Sequence, residues 1–139
     1  MTELPDEVRA LFEGPNYGHV ATLLPDGSPH SVAIWVGLEG DEIVFFTQTT
    51  SQKSRNLERD PRVAISMVDH DDPYMTARIR GRVTRTTTGD EAWEDIDRLA
   101  VRYTGEPFPF RPETSILYYV EPLKVGSTQL PFQHRPATA

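Results

Sequence analysis

Short turns limit the folds open to this chain more than any other feature. Between Tyr17 and Thr47, three runs rich in β-formers are joined only by Pro25-Asp26-Gly27-Ser28 and by Glu39-Gly40-Asp41. Parallel neighbours need a crossover of about a dozen residues or more, so connections this short demand antiparallel pairs. The expected strands are Tyr17 to Leu24, His30 to Leu38 and Ile43 to Thr47, arranged as a meander. The third is apolar throughout and is expected to be buried on both faces. Arg62 to Val68 reads as a fourth strand. Tyr74 to Thr86 reads as a long fifth, with Arg78, Arg80 and Arg82 on one face and Ile79, Gly81 and Val83 on the other. Ser115 to Val120 and Leu123 to Ser127 read as a sixth and a seventh, divided by Pro122.

The helical segments are few. Val8, Leu11 and Phe12 repeat at helical spacing within Pro5 to Glu13, and Gly14-Pro15 ends that run. Ser51 is an expected N-cap for a helix to Arg59, which Asp60-Pro61 terminates. The longest helix is expected from Gly89 to Tyr103, with Trp93, Ile96, Leu99, Ala100 and Tyr103 as its apolar stripe and Gly105 as its stop. Six or seven strands with short helices predict a mainly β fold, a small antiparallel barrel. The order of elements excludes a doubly wound sheet, and neither a dinucleotide fingerprint nor a phosphate-binding P-loop motif is present. At 139 residues the chain is expected to be one domain, a barrel over 1–127 with a tail over 128–139.

Composition narrows the function classes. Asp plus Glu number 21 against 14 Lys plus Arg, a net charge of −7, which argues against nucleic acid and anionic membrane as partners. There is no cysteine, so disulfides, thiolate metal sites and cysteine nucleophiles are excluded. The four histidines lack metal-ligand spacing, and no metal is expected. No apolar run approaches the ~18 residues of a membrane helix, and the N-terminal residues do not form a signal pattern; the expected location is the cytoplasm. Eight of the 14 cations nevertheless lie in two short segments, Lys53 to Arg62 and Arg78 to Arg85.

The helix after Ser51 carries the most chemistry. Helix N-termini offer free N–H groups and a positive dipole end, a ready anion site. Thr47, Thr49, Thr50, Ser51 and Ser54 add hydroxyls there, and Lys53 adds a charge in the first turn, where the dipole opposes it unless an anion is bound. These residues are compatible with a bound phosphate and equally with a capped surface helix bearing a solvated lysine. Val32, Ala33, Ile34, Trp35, Phe45 and Phe46 supply either a wall for a flat ring or simply core. No nucleophile elbow or Ser–His–Asp pattern appears. The arginine face of the fifth strand is read as solvent-facing or interface-paired.

Three stretches carry a resemblance: Gly27-Ser28-Pro29-His30 through Trp35-Val36, then Phe45-Phe46-Thr47, then Lys53-Ser54-Arg55-Asn56-Leu57-Glu58-Arg59-Asp60-Pro61-Arg62-Val63. They resemble the flavin-binding split β-barrel proteins, which include the pyridoxamine 5′-phosphate oxidases. The nearest likeness is to the branch that uses the deazaflavin coenzyme F420. Gly14-Pro15-Asn16, Asp72-Pro73-Tyr74 and Arg80-Gly81-Arg82-Val83 extend it over roughly residues 5 to 125. The resemblance implies an oxidoreductase using F420, with an FMN-dependent oxidoreductase or a non-catalytic cofactor-binding protein as the alternatives, a small-molecule acceptor, and a homodimer holding cofactor at the subunit interface. It implies that Ser31, Val32, Ala33 and Ile34 line the ring and that Phe46 and Thr47 meet the ring or ribityl chain. Gln52 and Lys53, assisted by Ser51 and Ser54, would hold the phosphate. The vitamer oxidases carry an arginine where this chain has Gln52, and basic residues where it has Ser31 and Val36, which favours the deazaflavin.

Overall fold

The computed structural model describes residues 2–138. Its elements are α1 (Asp6–Glu13), β1 (Gly18–Leu23), β2 (Pro29–Ile34), β3 (Gly37–Glu39), β4 (Glu42–Gln48), α2 (Gln52–Arg59), β5 (Arg62–Val68), β6 (Met75–Thr87), α3 (Gly89–Thr104) and β7 (Ser115–Gln129). The seven strands form one sheet in the order β2-β1-β5-β6-β7-β4-β3, and every pairing is antiparallel. The result is the mainly β, antiparallel architecture that the turns and strand runs predict, and the split β-barrel that the resemblance implies.

Two strand assignments need correction. The run His30 to Leu38 is not one strand. It is interrupted at Trp35-Val36, so that β2 pairs with β1 while β3 pairs with β4 at the other end of the sheet order. The first three expected strands are therefore two separate hairpins, not a meander. The interruption is held by a side chain that sequence periodicity cannot see. The Tyr103 hydroxyl accepts the N–H of Val36 at 3.1 Å and donates to the carbonyl of Asn16 at 2.5 Å. Asn16 is itself buried, donating to the Leu11 carbonyl at 3.0 Å and accepting from the His70 N–H at 2.8 Å. A backbone group thus finds a phenol where a ladder partner would be. Tyr103→Phe leaves Val36 N–H and Asn16 C=O short of a partner and is expected to cost about 1–2 kcal/mol, read as a lower midpoint in thermal or urea unfolding.

The second correction joins what Pro122 was expected to divide. Ser115 to Gln129 is one strand, and its pairing with β6 is irregular where Pro122 stands opposite Gly81. Pro122 has no N–H to give a ladder, and the register shift between Arg80 and Gly81 accommodates it. β7 also runs two residues past the expected boundary at 127, Thr128 pairing with Thr76.

Two apolar clusters lie on opposite faces of β4, as expected for a strand with no polar side. Ile43 and Phe45 join the barrel interior with Val8, Phe12, Val20, Ile65, Met67 and Ile79. Val44 turns the other way, onto Ala92, Ile96 and Leu99 of α3. On β6, Arg78, Arg80 and Arg82 are exposed while Ala77, Ile79 and Gly81 are buried, the alternation that the sequence predicts. The helix stops are as expected: Gly14 follows α1, and Gly105 closes α3 in the left-handed conformation at φ 83°.

Candidate functional site

At the point where β2 breaks off, β4 and α2 come together beside the loop that follows α3. The cleft between them has a volume of about 310 Å³ and is lined by Tyr17, Ala33, Ile34, Trp35, Phe46, Lys53 and Phe108. Lys53 is the single charged residue in that lining.

α2 is fixed by a chain of polar contacts. Ser51 is the N-cap, its Oγ accepting from the Ser54 N–H at 3.1 Å and from the Thr47 hydroxyl at 3.1 Å. Asn56 is fully buried and donates to the Thr22 hydroxyl at 3.0 Å, tying the helix to β1. The Gln52 amide donates to Asn56 Oδ1 at 2.8 Å and accepts from Arg55 at 2.9 Å. Arg55 also donates to the Thr50 carbonyl, and Arg59 to the Leu23 carbonyl. Arg62 is paired with Asp60 at 2.7 Å, which holds that carboxyl at about 2. Of the first cation cluster, Lys53 is the one without an ion pair or hydrogen bond among the described residues. It is half-buried, and burial pushes its ammonium below the ordinary lysine value.

The ten expected cofactor residues are distributed unevenly. Ala33, Ile34, Phe46 and Lys53 line the cleft. Thr47 and Ser51 stand at the foot of α2, bonded to each other. The Ser54 hydroxyl turns inward to Tyr118 at 2.5 Å, and Gln52 is engaged within its own helix. Val32 packs against the barrel core, and Ser31 lines a depression on the outer face of the sheet. Tyr17, Trp35 and Phe108 line the cleft without belonging to that set. Trp35 stacks on Tyr103 with centroids 5.2 Å apart and planes 5° from parallel, and Tyr17 lies 5.6 Å from the same ring. Trp35 was already a candidate for ring wall or core on its strand, while Tyr17 and Phe108 come from outside that run, Phe108 more than seventy residues along the chain from Trp35.

The outer depression is built differently. His19, Ala21, Ser31, Ala64, Ser66, Arg78, Arg80, Lys124 and Gly126 lie on one side of β2, β1, β5, β6 and β7. Arg80 and Lys124 face each other across the β6–β7 pair with no ion pair among the described residues. The described residues hold no cluster suited to a metal ion, and no described helix is long and apolar enough to cross a membrane.

The chain is thus a seven-strand antiparallel split barrel with the N-terminus of α2 beside an aromatic cleft. The sequence profile of the pyridoxamine 5′-phosphate oxidase family matches residues 4–125, and the chain belongs to that family. Among its curated relatives, a pyridoxine/pyridoxamine 5′-phosphate oxidase of Rubrobacter xylanophilus is 28% identical over 86% of this chain and 68% of its own length. One from Azorhizobium caulinodans is 33% identical over 63% of this chain, which spans only 41% of that protein. Among solved structures, an F420 reductase superposes with a TM-score of 0.78 at 32% identity, covering 88% of this chain and 98% of its own. A conserved hypothetical protein of Mycobacterium tuberculosis has the same fold, with a TM-score of 0.78 and 23% identity over 99% of both chains.

Proposed function

We propose that this protein is an oxidoreductase that uses reduced coenzyme F420 to reduce a small, electron-poor organic acceptor. The observation that carries the reading is Lys53, an uncompensated half-buried ammonium in the first turn of α2 at the rim of an otherwise uncharged cleft. Such a charge is unfavourable both for its burial and for its place on the helix dipole, and a phosphate relieves both. Ala33 and Ile34 offer strand backbone and small apolar surface to a flat ring, while Trp35, Phe46 and Phe108 exclude water from it. The cofactor when bound supplies the hydride, and solvent supplies the proton that completes a two-electron reduction. The protein's own part is binding and orientation, in keeping with the lack of a triad.

Two observations favour the deazaflavin over a vitamer oxidase. A phosphorylated substrate would need cations beyond the one that holds the cofactor, and the cleft has none. The 32% identical F420 reductase is matched over nearly its whole length. FMN is the second reading, since the same helix and slot would serve it. Titration of the purified protein with F420 and separately with FMN decides between them. Micromolar or tighter binding of F420 with weaker FMN binding is expected, and the reverse order overturns the proposal.

The same reading includes a homodimer. The outer depression joins small side chains (Ala21, Ser31, Ala64, Ser66) into a surface that a second copy can approach closely. Sedimentation equilibrium is expected to give twice the 15.7 kDa chain mass. A monomer at micromolar concentration would remove this part of the proposal.

A further inference from the structure

A separate groove lies at the opposite end of β1 and β2 from the aromatic cleft, and the two share no lining residue. Its volume is about 510 Å³. Its floor is apolar, with Leu23 from β1, Pro29 from β2, Ala64 from β5 and Leu123 from β7. Arg62, Arg80 and Lys124 stand around it, and none of the 21 Asp and Glu residues of the chain lines it.

Two features of the β6–β7 pairing converge on this groove. Arg80 stands opposite Lys124 and the next pair is Gly81 with Pro122, so Leu123 is an extra residue with no partner on β6. A bulge of this kind re-aims a side chain. Leu123 is 49% exposed, and its carbonyl is held by the Thr2 hydroxyl at 2.7 Å, so the bulge is fixed while its apolar side chain faces outward. The second feature is charge. Like charges directly opposite each other across a ladder destabilise a sheet, and neither Arg80 nor Lys124 has an ion pair or hydrogen bond among the described residues. Arg62 differs, since Asp60 neutralises it at 2.7 Å.

An apolar floor alone suits any hydrophobic surface, and two cations alone suit any anion. Side by side they select a molecule that has both parts. We propose that this groove is a second ligand site, for an amphipathic monoanion. A single carboxylate or sulfonate head sits between Arg80 and Lys124, and an apolar body of about ten carbons lies along Leu123, Leu23 and Pro29. The head relieves the repulsion between the two cations, and the body covers the exposed leucine. The site does not depend on the cofactor reading. It shares Ala21, Ala64, Arg80 and Lys124 with the outer depression, so a second copy seated on that face is the rival occupant.

The test titrates decanoate, below its aggregation concentration, into the purified protein labelled at its Leu, Val and Ile methyl groups, with decanol and acetate as controls. Decanoate is expected to shift the methyl resonances of Leu23, Val63 and Leu123 and to leave Ile34, in the aromatic cleft, unmoved. Decanol lacks the head and acetate lacks the body, and each is expected to bind about tenfold more weakly or worse. Arg80→Ala and Lys124→Ala, both at exposed positions, should each weaken decanoate about tenfold and leave decanol unchanged. Leu123→Asp places a carboxylate beside the two cations and should abolish decanoate binding. Equal affinity for decanoate and decanol, unchanged affinity in both cation variants, or shifts at Ile34 in place of the three named methyls overturns the inference. An absence of shifts up to millimolar decanoate also overturns it. A dimer in sedimentation equilibrium that dissociates in Leu123→Asp would then identify the second copy as the occupant.

Discussion

Replacing Lys53 by alanine is expected to weaken cofactor binding about tenfold to a hundredfold, the loss of about 1.5–3 kcal/mol for a hydrogen bond to a charged group. The fold should survive, because Lys53 has no partner among the described residues. Removing a half-buried, unpaired cation from a helix N-terminus should raise the midpoint of the unliganded protein slightly rather than lower it. The two readouts therefore move in opposite directions, which a merely structural lysine would not produce. A pH titration sharpens the test. Burial lowers the Lys53 pKa in the empty protein, and a bound phosphate favours the charged form and raises it again. Binding then takes up a proton in the alkaline range between the two values. Affinity is full below the depressed pKa and falls as pH rises through it, and this alkaline limb should vanish in Lys53→Ala. Unchanged affinity in the variant would remove Lys53 from the site.

The second large effect is predicted at Gly81, far from any cofactor. A methyl group there would stand 2.6 Å from the Glu121 carbonyl oxygen and 2.8 Å from Val120 Cγ1. The first of these is backbone in the neighbouring strand and cannot rotate away. Gly81→Ala should cost about 3 kcal/mol, read from urea unfolding as a lower midpoint with little change in slope. Gly126 is the instructive control. A Cβ there would also meet atoms at 2.8 Å, but they are the guanidinium of Arg78, the far end of a flexible side chain. Gly126→Ala should be nearly neutral, and equal costs at the two glycines would contradict the explanation.

Gly81 also marks the boundary of what local sequence patterns reveal. Alternation along Arg78, Ile79, Arg80, Gly81 and Arg82 placed each side chain on its correct face, because period two is a property of any strand. Pro122, read locally, signalled a strand end. Opposite a glycine at a register shift it is tolerated within one, and that pairing joins residues forty-one positions apart. The break at Trp35-Val36 was hidden for the same reason: β-formers run on without pause, and the group that interrupts them, the Tyr103 hydroxyl, arrives from α3. The site followed the same division. Ser51 as cap and Lys53 in the first turn are local features and were legible. Ala33, Ile34, Trp35 and Phe46 were readable as ring wall or core without a choice between the two, whereas Tyr17 and Phe108 reach the cleft by tertiary packing alone.

The sheet order has a consequence for how the protein is made. Phe46 and Thr47 sit on β4, and β4 takes one of its two neighbours from β7, Phe46 lying opposite Leu117 and Thr47 opposite Ile116. Phe108 also comes late in the chain. Most of the cleft is thus encoded in the first 53 residues, yet its walls can meet only after the last strand has been synthesised and has paired. A nascent chain stopped before β7 has the aromatic residues of the site but no cleft, and it leaves the apolar edge of β4 open to other strands. Competence to form the cleft is in this sense a report that β7 has paired.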